Sequence, residues 1–302
     1  MVYKTSSQVA SSLLSLSGGS NASDPISLSL DLPLDGAEWN ALFVAIAAVS
    51  KYVDLDLSAC TGSGSGAGLR VDGTFDPDAD VPTGKNYVVS LVLPNATTSI
   101  VDGTSKDPTF KGFTALKSLS LPDGIASIGD EVFDGCTSLV QVSLPANLTS
   151  IGDWAFADCA NLALTSLPSS LTTIGYGAFD GCTNLALTSL PANLKAVSYR
   201  AFDGCANLAL SSLPTDFATI GHSTFYGCAG IAALDISNVT AIGSYSFDGC
   251  TSLVSVTLGT VAPANFNVGN PFLRDLRTVY FESNGGAGTY VRNRSDTIWN
   301  KL

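Results

Sequence analysis

Six segments of this sequence resemble one another and decide its fold: FDGCTSL at 133–139, FADCANL at 156–162, FDGCTNL at 179–185, FDGCANL at 202–208, FYGCAGI at 225–231 and FDGCTSL at 247–253. Their cysteines follow one another at intervals of 23 residues, and the last interval is 22. A length of 302 residues would by itself suggest two domains. The tandem repetition instead predicts one stack of similar coils, each too small to bury its apolar face alone.

One repeat unit can be read between Leu139 and Cys159. Residues 139–144 read as a short strand with apolar side chains pointing inward, and Pro145 ends it because proline cannot donate a hydrogen bond to a sheet. Ile151 then points inward again, and Gly152 permits a sharp bend. Repeats of about 20–29 residues with regularly spaced leucines are typical of leucine-rich repeats. The unit therefore predicts a leucine-rich-repeat solenoid of the α/β class, rich in β-structure.

The same register extends in both directions from this unit. Predicted strands begin at Leu116, Leu139, Leu162, Leu185, Leu208, Ile231, Leu253 and Leu276. Segments 26–32, 52–57 and 88–93 add three more, which gives about eleven parallel strands. Residues 37–51 have the length and composition of a helix.

The ends depart from the repeat. We expect an N-terminal entry region at 1–86, with the helix and a Gly/Ser-rich, acidic surface loop at 61–86. Tandem repeats follow at 87–281, and a C-terminal cap at 282–302 buries Trp299 against the last coil, because a solenoid needs its open ends covered. All three parts form one continuous solenoid domain.

The quoted segments, with the strand leucines, the Leu-Pro and Ile-Gly pairs and the Ala-Phe pair between them, resemble the BspA-like leucine-rich-repeat family over about residues 88–281. The N-terminal stretch WNALFVAIAAVSKYVDLDLSACT and the tail GTYVRNRSDTIWNKL are similar to segments of spirochaete members. The resemblance implies a surface or secreted protein of a host-associated bacterium that adheres to host or bacterial proteins. It implies a scaffold, not a ligand.

Composition excludes several classes of function. The net charge is −12, and residues 118–194 contain no Lys or Arg, so no positive face for a nucleic-acid backbone is expected there. No apolar run is long enough to cross a membrane. The first residues lack the pattern of a secretory leader, so a cytoplasmic location is the alternative to the surface.

The six repeat cysteines, Cys136, Cys159, Cys182, Cys205, Cys228 and Cys250, occupy one equivalent position in successive coils. Their Cβ vectors should run parallel, which is poor geometry for a disulfide. Cysteine also behaves as a small buried apolar residue. We therefore expect a structural ladder of free thiols, with Cys60 as a seventh member.

Two sets of residues were considered for metal binding or catalysis. Asp76, Asp78 and Asp80 alternate as calcium ligands do, but the glycine and glutamate that an EF-hand loop requires are missing, so a solvated acidic loop is the default. His222 is the only histidine and occupies a variable surface position, with no nucleophile motif in the sequence. No cofactor and no enzymatic activity are expected.

The strands offer candidate interaction residues. Leu164, Leu187 and Leu210 form one column, which is either an exposed apolar stripe or, if a bulge turns it inward, part of the core; the core is favoured because an exposed apolar sheet face promotes aggregation. The other candidates for an interaction face are Gln141, Lys117, Arg277 and Tyr280.

The combined prediction is a non-enzymatic binding protein at the cell surface or secreted, with a protein or glycan ligand and a monomeric state. A structural, self-assembling surface protein is the first alternative. A polysaccharide-active solenoid enzyme is the second.

Overall fold

The computed structural model describes residues 2–3, 5–34, 36–61, 68–69, 74–76, 83–100, 110–266, 276–281, 285–293 and 298–302. The chain forms two compact units, Met1–Leu162 (unit 1) and Ala163–Leu302 (unit 2). The expected single stack over 87–281 stays a prediction.

The described residues of unit 1 form two helices, a 3-10 turn and eleven short strands. In chain order they are β1 (Val2–Tyr3), α1 (Ser6–Ser15), β2 (Ile26–Leu30), α2 (Gly36–Val49), β3 (Val53–Asp56), β4 (Gly68–Leu69), β5 (Thr74–Asp76), the 3-10 turn (Thr83–Tyr87), β6 (Val88–Val92), β7 (Ser99–Ile100), β8 (Ser118–Ser120), β9 (Ser127–Ile128), β10 (Gln141–Ser143) and β11 (Ser150–Ile151).

The first sheet of unit 1 contains the strands that the repeat pattern predicts. Its order is β1-β2-β3-β6-β8-β10, and every neighbouring pair is parallel. Along each strand the apolar residues alternate inward: Leu28, Leu55, Leu91, Leu119 and Val142 are buried. The other side chains of these strands point to the opposite face, as the two-residue period of a strand requires.

A second sheet was not predicted. Strands β11, β9, β7 and β5 pair in parallel, and β4 pairs antiparallel with β5. The surface loop expected at 61–86 is therefore wrong where residues are described, because β4, β5 and the 3-10 turn lie inside it. Strands β7, β9 and β11 are Ser-Ile pairs, and two residues are too few to show an alternating pattern.

Stacked phenylalanines fill the space between coils. Phe110, Phe133 and Phe156 are fully buried, with ring centroids 5.4 and 5.2 Å apart and nearly parallel planes. Helix α2 packs on the first of these rings through Trp39, at a centroid distance of 6.0 Å. Helix α1, which was also not predicted, is capped by Thr5, whose hydroxyl accepts a hydrogen bond from the Gln8 amide.

The glycines of the repeat have two different roles. Gly135 of the Asp-Gly-Cys turn has a φ of 71°, as expected, and Asp158 adopts 54° at the equivalent position. Gly152 is not in this left-handed region. A Cβ there would lie 2.6 Å from the carbonyl carbon of Gly129 in the preceding coil, so close packing of coils, and not the expected sharp bend, requires glycine.

Unit 2 continues with β12 (Thr173–Ile174), β13 (Ala196–Val197), β14 (Thr219–Ile220), β15 (Ala233–Ile236), β16 (Ala241–Ile242), β17 (Ser255–Leu258), a 3-10 turn (Pro263–Asn265), α3 (Leu276–Phe281), β18 (Gly288–Val291) and β19 (Asn300–Lys301). Strands β12 and β13, β14 and β16, and β15 and β17 form parallel pairs. Phe179, Phe202 and Phe225 stack with centroids 5.6 and 5.7 Å apart.

The predicted strands at Leu162, Leu185 and Leu208 are not strands in the structure. Leu187 is the third residue of the segment that starts at Leu185, and it is buried. In the equivalent segment that starts at Leu139, the buried residue is the fourth one, Val142. This one-residue shift breaks the alternation that a strand needs. Single backbone bonds persist between coils, such as Ala209 N to Leu187 O at 3.0 Å.

The predicted strand at Leu276 is wrong, because this residue begins helix α3. Leu276 and Tyr280 are both buried, and their spacing of four residues matches the period of a helix.

The C-terminal tail adds two antiparallel strands to the parallel pair formed by β15 and β17. β18 pairs with β17, and β19 pairs with β18. Trp299 is buried, and the guanidinium of Arg292 lies 5.4 Å from its ring centroid. Arg292 Nε donates to the carbonyl of Leu253 at 2.7 Å, so the tail satisfies backbone acceptors near the last coil.

Candidate functional site

The exposed face of the first sheet of unit 1 consists of two rows of mostly polar side chains. The pairing of the strands places the residues of each row side by side. The first row is Ser27, Asp54, Ser90, Ser118 and Gln141, and the second is Ser29, Asp56, Val92, Ser120 and Ser143. Neighbouring members of a row are separated by the spacing between strands, about 4.8 Å.

A shallow cavity of about 250 Å³ opens on this face over β2, β3 and β6. Its polar lining consists of Asp54 and Asp56, with Ser27, Ser29 and Ser90 beside them. Two carboxylates flanked by hydroxyl groups can accept hydrogen bonds from ammonium, guanidinium or hydroxyl groups of a ligand. We call this cavity with the two rows the acidic sheet face.

The two carboxylates have different surroundings. Partial burial raises the pKa of Asp54 above its ordinary value, and the charge of Lys117 opposes this effect. Asp56 Oδ1 accepts the Ser58 amide at 2.9 Å, and its Oδ2 lies 3.4 Å from Ser29 Oγ, so its orientation is fixed by the turn that follows β3.

The charge of the chain is concentrated in unit 1. Residues 1–162 contain seven Lys or Arg and 18 Asp or Glu, a net charge of −11. Residues 163–302 contain seven and eight, a net charge of −1. The acidic sheet face therefore lies in a strongly anionic unit and attracts cationic groups.

The predicted interaction column is mostly core. Leu187 and Leu210 are buried and are unavailable to a partner, because the shifted register turns them inward. Leu164 is half-buried.

The other predicted interaction residues separate into two groups. Gln141 is exposed in the first row of the acidic sheet face, and Lys117 is exposed next to that row, where its Nζ donates to the carbonyl of Ala22 at 2.7 Å. Tyr280 is buried, and its hydroxyl donates to the carbonyl of Gly259 at 2.7 Å, so its assignment to an exposed face is wrong. Arg277 is half-buried, and its Nε donates to the Phe266 carbonyl at 2.9 Å.

The cysteines are free and buried. The Sγ atoms of Cys205 and Cys228 donate to the carbonyls of Phe179 and Phe202 in the preceding coil, both at 3.1 Å. Burial raises the pKa of both thiols well above the ordinary value. Such thiols are protonated and poor nucleophiles.

Cys60 is not a seventh ladder member. It follows strand β3, whereas each ladder cysteine lies three residues before the leucine or isoleucine that begins the next repeat segment, and the Sγ of Cys60 lies 3.5 Å from the Leu30 carbonyl.

The structure describes only some of the residues predicted as candidates for metal binding or catalysis. Asp78 and Asp80 lie outside them, and Asp76 ends strand β5. Within the described ranges, His, Cys, Asp and Glu form no group of three that could hold a metal ion. His222 is exposed, and its ring contacts Tyr245 edge to face at 5.6 Å.

Sequence reasoning did not single out Asp54 and Asp56. The signal was present, because Val53-Asp-Leu-Asp56 alternates apolar and acidic residues within a predicted strand.

Among the described helices, none has the length and apolarity needed to span a bilayer.

Comparison with known proteins gives one family and several solved structures. The model of the BspA type leucine rich repeat region matches residues 103–232 and 187–264, in six copies. The leucine-rich repeat protein of T. pallidum is 28% identical over 62% of this chain and 79% of its own, with a TM-score of 0.46. A leucine rich cell surface protein from Faecalibacterium prausnitzii is 25% identical over 65% of this chain, with a TM-score of 0.44, and the match spans 45% of that protein.

A third structure, a leucine-rich repeat protein from Eubacterium ventriosum, is 21% identical over 74% of this chain and 57% of its own, with a TM-score of 0.47. No curated protein matches the chain. The family match confirms the predicted leucine-rich-repeat fold. Because it extends over more than half of the 302 residues, this chain belongs to the BspA-type leucine-rich-repeat family.

Proposed function

We propose that this protein is a non-enzymatic binding protein, at the bacterial surface or secreted, that adheres to host or bacterial proteins through the acidic sheet face of unit 1. The observation that carries the proposal is the pair of carboxylates, Asp54 and Asp56, in a cavity on a flat polar face. Membership of a family of bacterial surface proteins supports the location and the binding role.

The electrostatics favour a partner with a cationic patch. Unit 1 has a net charge of −11, and Asp54 and Asp56 are only partly exposed, so a lysine or arginine of the partner can pair with them with limited screening by solvent. Complementary charge of this kind raises the association rate and makes it depend on salt.

The raised pKa of Asp54 adds a dependence on pH. A carboxylate with a raised pKa takes up its proton at a higher pH than an ordinary aspartate does. Binding of a cationic partner should therefore weaken as the pH falls toward and through the ordinary aspartate range.

The test is binding of the purified chain to immobilised extracellular-matrix proteins and to surface extracts of neighbouring bacteria, measured at low and high salt. The variant Asp54→Asn/Asp56→Asn keeps the shape of the face and removes both charges. Asp123→Asn is the matched control, because Asp123 is exposed in unit 1 but lies in the turn after β8.

Saturable binding that the double variant weakens about tenfold or more, and the control leaves unchanged, supports the proposal. Binding that is indifferent to the double variant contradicts it. Light scattering that shows mass increasing with concentration would instead favour the self-assembling alternative.

A further inference from the structure

Successive coils of unit 2 expose aromatic rings on the turns that carry the Ile-Gly positions. Tyr199, Tyr226 and Tyr245 are 57%, 41% and 44% exposed, and His222 between them is also exposed. These three tyrosines account for three of the eight large apolar side chains that are exposed in the described residues. We call Tyr199, His222 and Tyr245 the tyrosine patch.

Backbone bonds place these residues next to one another. Arg200 N donates to His222 O at 3.0 Å, and Ser223 N donates to Ser244 O at 2.9 Å, so three successive coils are joined here. The His222 ring meets the Tyr245 ring edge to face, with centroids 5.6 Å apart and planes at 88°. The patch is therefore continuous across these coils.

The ring of Tyr199 lies directly against the backbone of the next coil. A Cβ added to Gly221 would come within 2.4 Å of Tyr199 Cδ1 and 3.0 Å of Cε1. Glycine at 221 thus leaves the space that the ring occupies. The ring is held on one side, and 57% of the residue remains open to solvent.

The backbone beneath the patch would favour glycine over the residues found there. Tyr245 has a φ of 58° and Arg200 a φ of 56°, and the equivalent position in an earlier coil is Gly177 with 58°. L-residues disfavour this region, and bulky ones disfavour it most. The equivalent positions of other coils hold Glu131, Trp154 and Ser223 with the same φ, so this turn accepts residues other than glycine throughout the repeat.

The charges around the patch are already paired. Arg200 contacts Asp180 at 3.0 Å and Asp203 at 2.9 Å, and unit 2 has a net charge of only −1. One guanidinium is shared by two carboxylates, so the patch offers no excess positive charge to an anionic ligand. The carboxylate and hydroxyl oxygens still accept hydrogen bonds, and the tyrosine hydroxyls also donate them.

The size of the patch separates two classes of partner. Three coils at about 4.8 Å per step give a height of roughly 10 Å. This corresponds to an area of a few hundred Å² at most, whereas a stable protein–protein interface buries about 800 Å² per partner. A small ligand with flat apolar faces and hydroxyl edges fits both the size and the chemistry.

We propose that the tyrosine patch binds the uncharged pyranose rings of a short glycan. The apolar face of a sugar ring stacks on Tyr199, and its hydroxyl groups bond to the polar atoms of the patch. The site is separate from the acidic sheet face, so this proposal stands or falls independently of the proposed protein adhesion.

The experiment screens the full chain against an array of neutral oligosaccharides, including cello-, malto- and chito-oligosaccharides and galactose-terminated glycans, with sialylated and sulfated glycans and a basic peptide as comparisons. The best neutral oligosaccharide is then titrated by calorimetry. Tyr199→Ala removes the stacking ring, Tyr199→Phe retains it, and Leu14→Ala is an exposed control in unit 1.

We expect saturable binding of a neutral oligosaccharide that Tyr199→Ala weakens at least about fivefold, while Tyr199→Phe and Leu14→Ala stay within about twofold of the wild type. Thermal melting of each variant checks that the fold is retained. The proposal is overturned if no neutral glycan binds, if Tyr199→Ala has no effect on affinity, or if only the acidic glycans or the basic peptide bind through the patch.

Discussion

High pH should destabilise this protein through its buried thiols, and Cys250 gives the effect a magnitude. Burial raises the pKa of Cys250 from an ordinary 9.0 to about 12. At pH 10 the thiol therefore keeps its proton in the folded chain and loses it in the unfolded chain. Deprotonation of this one thiol in the unfolded chain therefore lowers the free energy of unfolding by about 1.4 kcal/mol between pH 8 and pH 10.

The sign follows from the direction of the shift. The folded state binds more protons than the unfolded state between pH 9 and pH 12, so the free energy of unfolding falls as the pH rises through that window. Burial raises the pKa of Cys205 and Cys228 in the same direction, and they add to the loss.

The assay is urea unfolding followed by circular dichroism at pH 8 and pH 10, in the presence of a reducing agent. Other groups also titrate near pH 10, so the quantity of interest is the difference between variants. Cys250→Ala should reduce the loss of stability between the two pH values by about 1.4 kcal/mol. Val256→Ala, a buried apolar control, should leave that loss unchanged.

An equal loss of stability between pH 8 and pH 10 in wild type and Cys250→Ala would show that the buried Cys250 thiol does not cause the pH dependence. So would rapid reaction of the folded protein with Ellman's reagent at pH 8, because a protonated and inaccessible thiol reacts only after the chain opens.

Three further changes of stability follow from the packing and can be measured by chemical unfolding. Phe202→Ala should cost about 3–5 kcal/mol, because it empties the middle of a fully buried stack; a cost below about 1.5 kcal/mol would contradict the stack. Thr97→Val should stabilise unit 1 by about 1 kcal/mol, since the buried Thr97 hydroxyl has no hydrogen-bond partner among the residues that the structure describes; a loss would show that the hydroxyl is satisfied. Arg292→Ala should cost about 2–4 kcal/mol by releasing the Leu253 carbonyl and the Trp299 ring; an unchanged melting curve would contradict a role of Arg292 in capping.

The repeat length and its cysteines were sufficient to predict the fold, because each coil repeats the same inward positions. The predicted strands at 26–32, 52–57 and 88–93 correspond to β2, β3 and β6, and the helix at 37–51 to α2. The three strands alternate apolar and polar residues, which is the most dependable signal in a single sequence, whereas α2 was predicted from its length and helix-forming residues.

The wrong strand predictions at 185–190 and at Leu276 have one feature in common, because both positions are decided by contacts with other coils or with the tail. Leu-Ala-Leu-Thr-Ser-Leu at 185–190 is compatible with two registers that differ by one residue, and only packing against neighbouring coils decides that Leu187 is buried. Leu276 lies one repeat after Leu253, and only the antiparallel tail beside β17 shows that the stack has ended there.

The two proposed binding sites were harder to predict than the fold. Asp54 and Asp56 could have been identified from their alternation, but the cavity depends on three strands from distant parts of the sequence. The tyrosine patch depends on glycine at 221 and on left-handed backbone at Tyr245, and neither is visible in a pattern of apolar residues.

The central claim is that partner proteins bind on the acidic sheet face of unit 1. Hydrogen–deuterium exchange of the full chain, with and without a saturating bound partner, tests where binding occurs. We expect protection from exchange to increase in peptides covering 26–30, 53–56 and 88–92 when the partner is bound. We expect Asp54→Asn/Asp56→Asn to remove this increase. Protection confined to other segments, with these three unchanged, would contradict it.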